Sequence, residues 1–535
     1  MVNGRKIGII AALGGSTAAL AMLSGLATAH ADELQVNQQA LDARIDQLAS
    51  TGQNAGTSRP FSVDPNKAAG APVTGGSFPR SILIPGTDTS IKIYGQITEV
   101  LDYYMSGGNP NVSPASTTVG DNGQAQSIPL NNTIARARSN GIFSQTPKES
   151  KIGFETRTPT PFGEARTVME FDWAGSTGFS PGGADPTAVS DNLVPRLRYA
   201  YGTLGGLLAG QATSNFSDPD ANSETLDFGG NFGEPGHVRI PQVRWTMPAW
   251  WGTSFSVSAE QPMTIVATAN GLEATDAGVT STLTTSCTTA APKSVSGTTS
   301  TCSTSLLGSG VTPLNVAKST APAFTAAWYI PQPWGHLDFS AVFRPGLDVT
   351  DGKYFAKQYI GYGGHVGASY RPGWFGWAKD TFSAHFTAGD TIGPFLNSST
   401  NFDLATNYGA PSTATSAGSY GGFNGPTSAA SAASIIFKPT QEMGAELGYQ
   451  HWWAPNLRSN ISGGFNAHYG IPISLVGAGQ AGAINKELIN SHVNVIWNPV
   501  PFVDVGLEYT WAQRTVLNNN HATLNALISK LAFRF

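Results

Sequence analysis

The chain has 535 residues and a formal charge of -5 at pH 7, with 62 Gly, 26 Phe, 15 Tyr and 12 Trp but only 12% charged residues. Its mean hydropathy is only -0.11, and after the first thirty residues no window approaches eighteen uninterrupted apolar residues, which excludes a bundle of membrane helices. A mildly acidic chain also lacks the basic field that nucleic acid requires, so no nucleic-acid partner is expected.

The amino terminus has the pattern of an export signal. Arg5 and Lys6 precede an apolar run from Ile7 to Leu26, and Ala29-His30-Ala31 supplies an A-x-A cleavage site. Residues 1–31 therefore read as a signal peptide. They carry no acid, so losing Arg5 and Lys6 takes the charge from -5 to -7. Residues 32–50 follow with Leu34, Leu41 and Leu48 seven apart and Gln38 and Ile45 on the same seam. That spacing predicts a short coiled-coil helix, which at under three heptads needs copies of itself to persist. Residues 51–80, rich in Gly, Pro, Ser, Thr and Ala, read as a flexible linker.

From residue 81 to 535 the pattern is all-β. The last strand shows it best: Leu527, Leu531, Phe533 and Phe535 alternate with Ile528, Lys530, Ala532 and Arg534, one face for lipid and one for a lumen. Short connections fall near Pro159 to Gly163, Thr203 to Gly205, Pro248 to Gly252, Pro331 to Gly335, Arg371 to Trp377, Ala454 to Asn456 and Pro499 to Pro501. Seven short turns and eight long loops make a transmembrane antiparallel β-barrel of about sixteen strands. Parity makes residues 431 to 452 one strand, interrupted at Pro439 and Thr440, because the last strand must return to the turn side. Trp250, Trp251, Trp334, Trp374, Trp377, Trp452 and Trp453 flank the short turns, as an aromatic girdle at one membrane boundary would.

Alternation also sorts the charges. With Leu197, Tyr199 and Tyr201 assigned to lipid, Arg196 and Arg198 face the lumen. Arg166, Glu170 and Asp172 face inward between Thr167, Met169, Phe171 and Trp173, as do Arg244 between Val243 and Trp245, and Lys151 and Arg157 opposite Ile152 and Phe154. Guanidinium groups stay charged and grip carboxylates with two hydrogen bonds, so this set favours anions unless Glu155, Glu170 and Asp172 absorb it in wall pairs. Substituting Arg198 with Ala is expected to reduce anion preference.

Other motifs carry less. Gly477 to Gly482 matches G-x-G-x-x-G but lies between strand signals with no βαβ context. Asp218, Asp220, Asn222 and Glu224 begin like a calcium loop, yet Ser223 and Gly229 stand where glycine and glutamate belong. The nine histidines show no ligand spacing, so neither metal nor cofactor is expected. Cys287 and Cys302 lie in a Ser/Thr-rich stretch of an exported chain and are candidates for a loop disulfide, two free thiols being the alternative.

Segments from residue 80 onward resemble the DcaP-like family of trimeric outer-membrane porins. The likeness lies in Ile82 to Thr87 leading into Ser90 to Gly95, in Leu197 to Gly202 and Gly206 to Gln211, and most densely in Phe216 to Asp220, Glu224 to Gly229 and Gln450 to Trp453, ending with Trp497 to Pro501 and Glu508-Tyr509. The resemblance implies a homotrimer in the lipid and lipopolysaccharide of a Gram-negative outer membrane, passing small anionic solutes such as dicarboxylates, without catalysis. By analogy with general porins, residues 214 to 237 are the candidate for a loop folded into the pore. The Ser/Thr loop with Cys287 and Cys302 departs from the family pattern and leaves the solute open. Competing readings are a closed structural or adhesive barrel and an outer-membrane hydrolase, for which no nucleophile motif is present. A plugged transporter of about twenty-two strands does not fit the length.

Overall fold

The computed structural model describes residues 75–108, 128–130, 134–175, 194–233, 238–268, 271–274, 285–287, 302–304, 317–350, 353–374, 379–396, 402–406, 433, 435–475, 481–482 and 484–535. The expected signal peptide, the heptad segment, most of the linker and most of the glycine motif lie outside them.

Sixteen antiparallel strands form the wall. They are β1 (Ser90–Ser106), β2 (Ile142–Thr146 and Lys151–Thr160), β3 (Gly163–Gly175), β4 (Val194–Leu204), β5 (Leu207–Thr213), β6 (Arg239–Pro248), β7 (Ser254–Glu260), β8 (Ala317–Ser319 and Ala323–Gln332), β9 (Gly335–Thr350), β10 (Ala356–Tyr370), β11 (Thr381–Asp390), β12 (Gln441–Ala454), β13 (Leu457–Tyr469), β14 (Asn485–Val500), β15 (Val503–Val516) and β16 (His521–Arg534). Each pairs with its sequence neighbour, and β1 closes the ring on β16 from Gln96↔Arg534 to Ser106↔Asn525. A closed ring leaves no unpaired edge in the lipid, where each unmade backbone hydrogen bond would cost several kcal/mol. The seven short connections all occur where expected and all at one end. On the loop side two connections, residues 351–355 and 517–520, are no longer than the turn at 249–253 and shorter than that at 371–380.

Two strands are broken, and prolines account for both breaks. Pro147 separates the segments of β2, and Pro322 with Pro345 sits at the break in β8 and the bulge of β9 between Arg344 and Leu347; proline has no N–H for the ladder. The break expected at Pro439 and Thr440 exists but has another meaning. Phe437–Pro439 leaves the wall and pairs with Leu404–Thr406 in a small loop-side sheet that also contains Ile265–Thr268. The Thr440 hydroxyl donates to the Phe402 carbonyl at 2.6 Å and redirects the chain there, so β12 starts at Gln441 and the even count holds.

The outward face is apolar: Ile97, Val243, Trp245, Phe339, Phe343, Leu447 and Leu507 are all exposed, as a lipid-facing band requires. Trp250, Trp251, Trp334, Trp374 and Trp453 lie exposed around the turn end. Trp452 points the other way, its ring 5.3 Å from the Arg458 guanidinium on the inner rim, and Trp377 lies outside the described residues.

Candidate pore and constriction

Inward alternation sets one side of the lumen. Arg166, Glu170 and Asp172 of β3 are buried while Met169 and Trp173 face out. Lys151 and Glu155 of β2 and Arg244 of β6 are likewise buried and inward. β4 departs from the expected alternation. A bulge opposite Glu170 and Phe171 puts Tyr199 across from Glu170 and Leu197 across from Phe171. Arg198 is therefore the extra residue, and the face changes there: Arg196 and Arg198 still point inward, but Tyr199 and Tyr201 are buried as well instead of meeting lipid.

These charges form two wall clusters. Glu155 accepts hydrogen bonds from Arg157 Nε at 2.8 Å and Arg166 Nε at 2.9 Å, and Arg157 reaches Glu164 at 3.3 Å. Asp172 accepts from Arg196 Nη2 at 2.6 Å and Arg198 Nη1 at 2.8 Å, while Arg198 Nε donates to Glu170 at 2.7 Å. Arg198 is 2% exposed and clamped on both edges, whereas the Arg196 side chain keeps 37% of its surface open. Arg239 adds a further cation, 5.2 Å from the Tyr199 ring. Seven basic groups thus face four acids on β2 to β6, an electropositive surface even after pairing.

The connection between β5 and β6 fills the opposite side. Residues 214–233 turn into the barrel and lie along the inner wall of β9 to β16, the placement expected of a constriction loop. Glycine makes this approach possible: a Cβ at Gly367, Gly444 or Gly464 would strike Asp218, Gly233 or the Phe232 carbonyl respectively. Carboxylates hold the loop down. Glu508 accepts from Leu226 N at 2.7 Å and Asp227 N at 3.1 Å. Glu446 accepts from Ser223 N at 2.8 Å. From the loop itself, Glu224 receives Arg458 Nη2 at 2.6 Å and Nε at 2.7 Å. Phe228 then projects towards the basic wall, 5.5 Å from the Arg196 guanidinium and 5.7 Å from that of Arg198.

Beside this constriction a small, partly open pocket is lined by Lys151, Lys530, Arg458 and Arg534 together with Glu149, Glu224 and Asp504. Alternation pointed to the inward residues of β2 to β4 but not to the set on the facing wall, Glu446, Arg458, Glu508 and the His492 that pairs with Glu508. The signal was present, since Glu442 and Glu446, and Asp504 and Glu508, stand at even spacing on strands whose intervening residues are apolar or small.

Residues 82–341 match the family model described as the porin subfamily, and residues 440–533 match that of the DcaP outer membrane protein. The chain is an outer-membrane porin that resembles the DcaP-like family. Among solved structures, the chain is similar to the outer membrane channel DcaP of Acinetobacter baumannii, with 18% identity over 86% of this chain and 100% of that one and a TM-score of 0.57. It is also similar, at a TM-score of 0.42 and 7% identity, to the anion-selective porin from Comamonas acidovorans, covering 84% of this chain and 100% of that one. Against OprB of Pseudomonas putida the TM-score is 0.43, with 10% identity over 83% and 94% of the two chains. Comparison with the curated proteins returns no match.

Proposed function

We propose that this porin is a passive channel for small organic anions, dicarboxylates among them, and that it works as a homotrimer after a signal peptide is removed behind Ala31. The observation that carries this reading is the juxtaposition at the constriction. An inward loop held down by carboxylates faces Lys151, Arg166, Arg196 and Arg198, and the partly open Arg196 guanidinium stands at the narrow point beside Phe228. A permeating carboxylate would exchange part of its hydration for Arg196 and its neighbours, and then leave, because Asp172 already takes two of the Arg196 donors and keeps the site weak. No bond is made or broken in the solute. The heptad Leu34, Leu41 and Leu48 supports the trimer as a second contact besides the barrels.

The test is single-channel recording of the purified protein in a planar bilayer under a salt gradient. Three linked conductance steps with an anion-leaning reversal potential, reduced by added succinate, are expected. A silent bilayer would overturn the channel reading and favour a structural barrel; a cation-leaning reversal would overturn the anion preference alone.

A further inference from the structure

The loop meets the wall of β9 to β11 through a cluster that solute passage does not use. Asp218 and Asp220 come from the loop and His336 from β9, 118 residues beyond Asp218, and one ligand atom of each lies within 4.8 Å of the others. Asp218 and His336 are buried, and Asp220 is half-buried. We propose that Asp218, Asp220 and His336 form a site for a divalent transition-metal ion such as Zn²⁺ that clamps the constriction loop to the barrel wall.

Three features point to a ligand. His336 Nδ1 lies 2.6 Å from the Ser369 hydroxyl, the outer hydrogen bond that orients a metal-binding imidazole, and this leaves Nε2 directed at Asp218 Oδ2, also 2.6 Å away. A bound metal ion would take the place of the proton that Nε2 and Asp218 share across that contact. His385 is 3% exposed, and neither of its ring nitrogens makes a hydrogen bond of ordinary geometry. It stands directly across the ladder from Gly367, the glycine over which the Asp218 carboxylate packs, so a second buried imidazole borders the pair. Two carboxylates and an imidazole suit zinc, cobalt or nickel; calcium would ask for six or more oxygens. The sequence could not show this, because the loop lacks the EF-hand pattern and the histidines come from separate strands.

The experiment is isothermal titration of tag-free, full-length protein in detergent with ZnCl₂ and CaCl₂, alongside absorption spectra with CoCl₂. One Zn²⁺ per chain, little heat with Ca²⁺, and Co²⁺ bands in the visible region are expected. Binding should weaken at least about tenfold in His336→Ala and in Asp218→Asn. Because those variants also unseat the loop, Ser369→Ala, which removes the outer hydrogen bond on His336 and touches no loop residue, gives an independent readout: weaker Zn²⁺ binding with unchanged heat-modifiable mobility. Absence of Zn²⁺ binding in the unaltered protein, or binding undiminished in both His336→Ala and Asp218→Asn, would overturn the proposal.

Discussion

Replacing Glu224 with Ala asks how firmly the constriction loop is held. Glu224 and Arg458 are both nearly fully buried, with two hydrogen bonds at 2.6 and 2.7 Å, and Gln450 Nε2 adds a third to the same carboxylate at 2.8 Å. Removing one partner of such a pair costs about 3–5 kcal/mol, because the other charge stays buried. At about 1.4 kcal/mol per decade, the population of loop-released states rises by roughly two to three and a half orders of magnitude. The two backbone bonds to Glu508, each worth about 1.5–3 kcal/mol as bonds to a charge, still favour the inward position. The loop is therefore expected to stay closed on average and to open in bursts, seen as flicker to larger currents in single-channel records. The barrel itself should melt as before, since no ladder bond is touched. Arg458→Ala should flicker similarly, and the double variant, with no charge left unpaired, should be quieter than either single variant. Steady, unchanged currents in both single variants, or a double variant as noisy as the sum, would refute the assigned latch.

The two arginines on Asp172 should separate cleanly. Arg196→Ala is expected to move the reversal potential towards neutrality without changing the melt, whereas Arg198→Ala, which takes the guanidinium from buried Glu170 and leaves Asp172 with Arg196 alone, should destabilise the barrel by about 3–5 kcal/mol, read from its heat-modifiable mobility; the reverse pattern would exchange their roles. Asp380, in the turn before β11, is pulled below the usual carboxylate range: burial opposes this, but hydrogen bonds from His451, Trp452 N and Tyr449 outweigh it. A lowered folded value means stability that is fully present above the unfolded carboxylate pKa of about 4 and lost as pH falls through the folded one. Denaturation midpoints of the unaltered protein and of Asp380→Asn should thus differ at pH 7 and converge below about pH 4; a constant gap would sink the assignment. Cys287 lies directly across from Cys302 in a two-stranded pairing, where Cα separations of about 4.5–5.5 Å admit a disulfide. Alkylation and mass spectrometry of exported protein should find no free thiol without reductant; two labelled thiols would argue against the bridge.

What alternation can see, the sequence disclosed: the turn-flanked strands, the even count, and the inward set Lys151, Arg166, Glu170, Asp172 and Arg244. It failed where the period of two is interrupted. Nothing local marks Arg198 as the bulged residue, because a bulge is set by how β3 and β4 settle against each other, and one extra residue moved Tyr199 and Tyr201 from lipid to lumen. Pro439 truly stops the ladder, but whether the chain resumes the wall or joins a loop-side sheet depends on Leu404–Thr406, about thirty residues earlier. The latches are less legible still. Glu224 meets Arg458 across 234 residues and Leu226 meets Glu508 across 282, and in one sequence no periodicity links them. The loop's own composition did hold a clue. Asp218, Asp220, Glu224 and Asp227 crowd four acids into ten residues, and Arg458, His336 and backbone N–H groups are there to pair with them. An acidic inward loop backed by glycine-bearing strands is thus a physical reason to look for buried cationic partners on the far wall.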